Sequence, residues 1–452
     1  MKKKTLFSIF GIILFLLIAG VLSYALRIAP PAAGFLARDV CNAHFVGGRS
    51  LDKIIAQDFV RLDDDLTHFS VDIDEATKKV TSSLGPFGKQ TAIYREGYGC
   101  TLETERLAAV PELAPVTPKS WPQGNPADYG FDEQKLNAAF DDVFTDPLPN
   151  HRAILIVKDS HLIAERYAPS FSKATPMLSF SMHKSITGMM VGAAVAQGLI
   201  QLDDRPPLDE WADPKDPRHA ITWRHLLQMQ SGLKFQEVYT DLFADVPQMN
   251  IMEHSAGAYA AAKPSEFTPG TEWKYSTGTS NILQYALRHT LESVGKNYHT
   301  YARDEIFAPI GASSIQMMPD PSGTFIGGSY TYATARDWAK LGQLILQNGV
   351  WNNQRILPTD WLIFTQTPAS DSDGMYGAQV WLNQKGAKGR APFFPNIPEG
   401  AFFFSGWQGQ VVLVIPEWNM VMVHLGRTPP NHEELDPVNM GFDKLLAAYQ
   451  QE

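Results

Sequence analysis

Apolar and polar positions alternate in clearly different ways along the chain. Residues 6–26 form a run without one charged side chain; as a helix it covers ~31 Å, about the thickness of a bilayer's hydrocarbon core. Residues 50–60 carry an amphipathic helical pattern. Further on, short apolar runs at 153–157 and 162–167, joined by Lys158-Asp159-Ser160-His161, predict a β-hairpin. A second hairpin is predicted from 410–415 and 420–425, joined around Pro416-Glu417-Trp418-Asn419, and residues 436–450 read as a closing helix. Strands at both ends with mostly helical patterns between them predict an α/β (α+β) fold, one antiparallel sheet assembled from both ends of the domain around an inserted helical region. There is no internal repeat.

The breaks in this pattern divide the chain into residues 1–27, a membrane anchor or signal segment; 28–115, an accessory region; and 116–452, the main domain. Residues 30–34 read as a stiff linker after the anchor, and 111–126 as a second break rich in proline. Lys2, Lys3 and Lys4 precede the apolar run and Arg27 follows it, so the positive-inside bias leaves the amino terminus in the cytoplasm and exports the rest to the cell envelope. The run exceeds the usual ~7–15 residues of a signal core, which favours a retained anchor, although Ser23-Tyr24-Ala25 offers a cleavage site that would release a secreted protein. Cys41 and Cys100, the only two cysteines, suit an oxidising compartment. A disulfide between them would contribute ~4 kcal/mol by loop closure. Two unpaired buried thiols are the alternative, and two cysteines without a histidine cluster supply too few ligands for a metal.

Hydrophobic residues make up 44% and charged residues 19% of the chain, a globular balance that excludes disorder and coiled coil. The formal charge is −10 and no basic block follows residues 2–4, so a nucleic-acid partner is not expected.

Candidate chemistry begins with Ser-x-x-Lys, which puts a serine hydroxyl and a lysine amine on one helical face a turn apart. The pattern occurs at Ser50, Ser170, Ser181, Ser231 and Ser293. Only Ser181 opens a long uncharged stretch, residues 185–202, with Gly198 marking a helix end. Lys184 is the one charged side chain between Lys173 and Asp203. Burial without a neighbouring carboxylate disfavours its ammonium form, which suits proton exchange with Ser181. Tyr275 follows Pro269-Gly270-Thr271-Glu272-Trp273-Lys274 at a turn before the apolar pattern 281–287, a good presentation site for a phenol. Without further context it is one of 15 tyrosines.

Ser181-Met182-His183-Lys184, the segment 222–233 ending Gln230-Ser231-Gly232-Leu233, and the turn 269–276 together resemble the serine beta-lactamase superfamily, in particular its class C and esterase branch. Gly327-Gly328-Ser329-Tyr330, Ala333-Thr334-Ala335-Arg336-Asp337-Trp338 and Arg355-Ile356-Leu357-Pro358 are similar to members related to 6-aminohexanoate-dimer hydrolase. The resemblance covers residues 126–449. It implies Ser181 as the acylated nucleophile, Lys184 as its proton partner, Tyr275 as general base, and an oxyanion hole from the backbone N–H groups of Ser181 and Trp407. No cofactor or metal is implied.

Two departures narrow the substrate. Beta-lactamase members carry Tyr-x-Asn where this chain has Tyr275-Ser276-Thr277, and Lys-Thr-Gly where it has Phe404-Ser405-Gly406. Losing the asparagine and the cationic residue argues against penicillins and D-Ala-D-Ala peptides, and for small ester or linear amide substrates. Tyr239 and Trp381 are candidates for the acyl pocket, or ordinary packing aromatics; His183 is expected to be a bystander. The leading expectation is an exported, membrane-anchored serine hydrolase acting through an acyl-enzyme. The alternatives are a penicillin-binding, beta-lactamase or D-amino-acid peptidase activity, and a non-catalytic binding protein of the envelope.

Overall fold

The computed structural model describes residues 2–59, 68–146, 150–428 and 435–450, with the side chains of 2–9, 11–18, 21 and 24 outside that description. The predicted sheet is present. Its six strands are all antiparallel and lie in the order Trp381–Leu382, Phe402–Gly406, Gln410–Ile415, Met420–Gly426, His151–Lys158, His161–Tyr167. The two ends of the domain meet where Met422 pairs with Ile156 in the centre of the sheet. Asp159 and Ser160 both adopt positive φ in the first hairpin, the turn geometry that matches strand twist.

Both faces of this sheet are covered, which is why its strands read as continuous apolar runs rather than as alternations. Leu155, Val157, Val412 and Val414 face one core with the helix Ala335–Leu346; Ile154, Ile156, Val411 and Leu413 face a second core with Phe140 and Phe442. That is the period-two alternation of strand side chains. Gly342 lets the covering helix lie close to the strands, since a Cβ there would meet Val412 Cγ1 at 2.8 Å. The closing helix is shorter than its pattern suggested, Asp436–Leu446. Between the ends lies the helical insertion, including His183–Ala196 and Thr277–Ser293.

The amino-terminal region departs from expectation. Residues 30–34 are not a linker: one helix runs Lys2–Cys41 with Pro30 and Pro31 inside it. Prolines ordinarily interrupt a helix by removing a donor and crowding the preceding turn. Here the stretch around them is buried against an antiparallel sheet of four strands, Ser70–Asp74, Lys79–Leu84, Phe87–Arg95 and Gly99–Leu102. Gly88 comes so near that a Cβ would lie 2.4 Å from the Ala29 carbonyl carbon. Tertiary packing outweighs the local cost. The apolar run 6–26, expected to span a membrane, forms the leading part of this helix, and most of its side chains lie outside the described residues. Among the described residues no helix is long and apolar enough to cross a membrane.

The amphipathic pattern at 50–60 is helical, as Leu51–Ile54 followed by a wider turn Ile55–Phe59; Val60 lies outside the described residues. Cys41 and Cys100 form a disulfide that joins the long helix to the last strand of the small sheet. A buried ionic cluster ties this region to the large sheet. Asp58 pairs with Arg49 at 2.5 Å and with Arg152 on the strand His151–Lys158, with Arg427 3.9 Å away. Burial alone would raise the Asp58 carboxyl, but the guanidinium groups of Arg152, Arg427 and Arg49 hold it well below the usual carboxylate range.

Removing one partner of such a cluster strands the others in a low-dielectric site. Asp58→Ala is expected to lower unfolding free energy by about 3–5 kcal/mol, measured by urea denaturation. Arg166→Ala, which breaks the exposed pair with Asp141, is the control and costs under ~1 kcal/mol.

Candidate active site

Ser181 sits in a single 3-10 turn, Phe180–Met182, rather than inside the helix its pattern suggested; the helix His183–Ala196 starts immediately after, and Gly198 follows its end with φ +69°. The turn is held from two sides. Ser179 N–H donates to Thr331 O at 2.8 Å, and the strand Phe402–Gly406 presses so close that a Cβ on Gly406 would lie 2.1 Å from Ser179 O. Phe180, just before the serine, has φ +46°, a region that a bulky side chain rarely adopts. Its ring packs edge-on against Trp407 at 5.3 Å. The strained turn is thus fixed by its surroundings and leaves Ser181 half-buried on a cavity wall.

Lys184 is buried, 2% exposed, and its Nζ donates to Ser181 Oγ at 2.9 Å, Thr277 Oγ1 at 3.0 Å and Gly328 O at 2.9 Å. All three acceptors are neutral. Among the described residues Lys184 forms no ion pair, and burial lowers its pKa to about 8, with Glu237 opposing the shift. Nζ also lies 4.8 Å from the centre of the Tyr275 ring. The serine, the lysine and the tyrosine therefore converge at one place. Tyr275 is held from behind by Trp381, with ring centres 5.2 Å apart, and by Tyr376 at 5.9 Å.

Other singled-out residues divide between site and scaffold. Tyr239 and Trp407 stack at 5.6 Å and both line the cavity that Ser181 faces. Trp381 belongs instead to the aromatic packing around Tyr275 and is not among the described lining residues. Ser405 is half-buried and pairs with Val411, while Phe404 is fully buried in the core; neither is among the described residues lining the cavity. His183 is buried with Nδ1 against Ser329 O at 2.7 Å, and burial lowers its pKa to about 4. It pins the nucleophile helix to the Gly327-Gly328 segment.

One residue escaped the sequence reading. Glu237 receives hydrogen bonds from Thr277 N–H at 2.7 Å, from the Thr277 hydroxyl, and from the Tyr239 hydroxyl at 2.6 Å. Thr277, standing where beta-lactamase members carry asparagine, thereby links Lys184 to a carboxylate. The available signal was a glutamate two residues before the already noted Tyr239, but nothing in the linear pattern joins it to residues 184 and 277. Gly328 supplies only a carbonyl, so its part is likewise invisible to side-chain motifs.

A beta-lactamase family model matches residues 152–440, and the chain belongs to that family. Within it, this is a beta-lactamase-related serine hydrolase. The chain is 24% identical over 307 residues to the 6-aminohexanoate-dimer hydrolase of Paenarthrobacter ureafaciens, covering 61% of this chain and 72% of that protein. Its fold is similar to that of a family VIII carboxylesterase, with TM-score 0.54 and 18% identity over 72% of this chain and 98% of the other. It is also similar to a penicillin-binding protein homolog from Caulobacter crescentus, with TM-score 0.56 and 16% identity over 72% of this chain and 99% of that one.

Because Glu237 favours the charged form of Lys184, Glu237→Gln is expected to move the Lys184 titration below its starting midpoint of about 8. Lysine side-chain carbon NMR across a pH series reads the shift. Gly406→Ala is expected to destabilise by about 1–3 kcal/mol through overpacking against Ser179, read as a lower melting temperature.

Proposed function

We propose that this protein hydrolyses an ester or linear amide bond through an acyl-enzyme on Ser181. The observation that carries the reading is the 2.9 Å hydrogen bond between Lys184 Nζ and Ser181 Oγ, made by a buried lysine whose other acceptors are neutral. Its pKa of about 8 gives an amine fraction near neutral pH. Ser181 Oγ attacks the substrate carbonyl carbon while its proton passes to Lys184, with Tyr275 beside it as the group that relays the proton to the leaving alcohol or amine. The backbone N–H groups of Ser181 and Trp407 serve the developing oxyanion. Water then attacks the acyl-serine, the same groups taking its proton, and the acid is released.

An ester or linear amide is favoured over a beta-lactam because no lysine or arginine is among the described residues lining the cavity. A penicillin's carboxylate has no cationic partner there. Of the relatives, one is named a 6-aminohexanoate-dimer hydrolase and another a carboxylesterase. Export to the cell envelope and retention by residues 6–26 are part of the same proposal, supported by the uncharged run after Lys2, Lys3 and Lys4.

A fluorophosphonate is expected to phosphonylate Ser181 with loss of HF, adding the mass of the phosphonyl group to that peptide, and Ser181→Ala to abolish nitrophenyl ester turnover; an unlabelled Ser181 in folded protein that still hydrolyses the ester refutes the assignment. For wild type, log kcat/KM is expected to rise with pH and level off above about 8, because only the amine form of Lys184 accepts the proton. Acylation by a fluorescent penicillin is expected to be far slower than acylation by the ester, measured on the same preparation.

A further inference from the structure

The cavity beside Ser181 is larger and greasier than a short acyl group needs. Its volume is about 480 Å³, within the range that accommodates a drug-sized ligand. One wall is the amino-terminal helix, through Ile28, Ala32 and Phe35, extended by Phe59 and Phe69 of the accessory region. The facing wall comes from the segment after Tyr239, through Leu242, Phe243, Val246 and Ile251. These walls are clamped together: Arg38 Nη1 donates to Asn250 O at 2.6 Å, and a Cβ on Gly34 would lie 2.6 Å from Ile251 Cγ2. The chamber is thus a built feature joining the accessory region to the catalytic domain. Its one charged lining residue among those described is the exposed Asp241.

We propose that the bond cleaved at Ser181 belongs to a substrate with a long apolar chain, a fatty acyl or comparably lipophilic group, and that this chain lies between the amino-terminal helix and the 239–251 segment. The inference rests on the Ser181 hydrolase reading and adds the substrate class. Apolar walls without a cation favour a hydrocarbon chain over a polar or anionic one, since burying hydrocarbon is stabilising while an unpaired polar group costs free energy. The placement of the chamber points the same way. Its first lining residue, Ile28, comes two positions after the uncharged run 6–26 ends, and Leu22, Leu26 and Phe243 leave apolar surface exposed nearby in sequence or at the cavity itself.

The test uses the full chain in lipid nanodiscs with nitrophenyl acetate, butyrate, octanoate and laurate. Each added methylene that enters the chamber is expected to raise kcat/KM about two- to fourfold, fourfold corresponding to ~0.8 kcal/mol per buried methylene, so octanoate exceeds butyrate by at least about tenfold. Ala32→Trp fills the chamber from the helix side, and Phe243→Asp places a charge at its exposed edge; each is expected to cut the octanoate-to-butyrate ratio about fivefold or more. The second variant guards against misfolding of the first. Equal or falling rates along the series, with Ser181 fully labelled by fluorophosphonate, overturn the lipophilic substrate and leave the hydrolase reading standing. Absence of both labelling and turnover of every ester refutes the hydrolase reading and this inference with it. Monomeric laurate ester and diacylglycerol in phosphatidylcholine vesicles separate a dispersed fatty ester from a membrane lipid: turnover of either supports the proposal, and turnover of neither beside rapid acetate hydrolysis overturns it.

Discussion

A buried ammonium whose direct hydrogen-bond partners are all neutral is the constraint around which the site is arranged. Lys184 has its three hydrogen-bond partners in a serine, a threonine and a backbone carbonyl, and none of them is charged. A lysine paired directly with a carboxylate would hold its proton too tightly for exchange near neutrality, whereas one left without acceptors would be too costly to bury. The three neutral acceptors satisfy its donors while burial weakens its hold on the proton. Glu237, one hydroxyl further away, limits how far the pKa falls. Glu237 also anchors Tyr239 against the ring of Trp407, so the same carboxylate organises the electrostatics and one wall of the cavity.

Holding such a group requires rigid surroundings. The nucleophile turn is squeezed between the strand ending at Gly406 and the strand Thr331–Ala333, and Phe180 accepts an unfavourable backbone conformation as a result. His183 ties the start of the helix to Ser329, and the carbonyl of Gly327 accepts from Thr187 at 2.8 Å, fixing the segment that presents Gly328 to the lysine. Around Tyr275, Trp381 and Tyr376 form a packed aromatic backing. Tyr275, the proposed relay, is thus oriented by packing from elements far apart in sequence.

The accessory region is integral to this arrangement. Asp58 draws Arg49, Arg152 and Arg427 into one buried cluster, and the cation of Arg38 lies 3.6 Å over the ring of Tyr330, itself a cavity residue. Through these contacts the long helix, with Phe59 and Phe69, becomes a wall of the Ser181 cavity. The family model begins at residue 152, so the part of the pocket supplied by the accessory region lies outside the matched span.

The sequence by itself determined four of the six strands of the main sheet and the two hairpins they form, because their apolar runs and turn residues are local, and it marked Ser181 among five similar tetrads, because an uncharged helix is visible as composition; the strands Phe402–Gly406 and Trp381–Leu382 were not legible in that pattern. It also carried the two departures at Thr277 and Phe404. Only the tertiary structure decided that residues 30–34 continue a helix, since contacts with a distant sheet offset what two prolines cost locally. The same holds for Glu237 and Gly328 beside Lys184, for Trp381 as a support of Tyr275, and for the helix wall of the cavity. Each depends on groups tens to hundreds of residues apart meeting at a few ångströms, and no periodicity along the chain encodes such a distance.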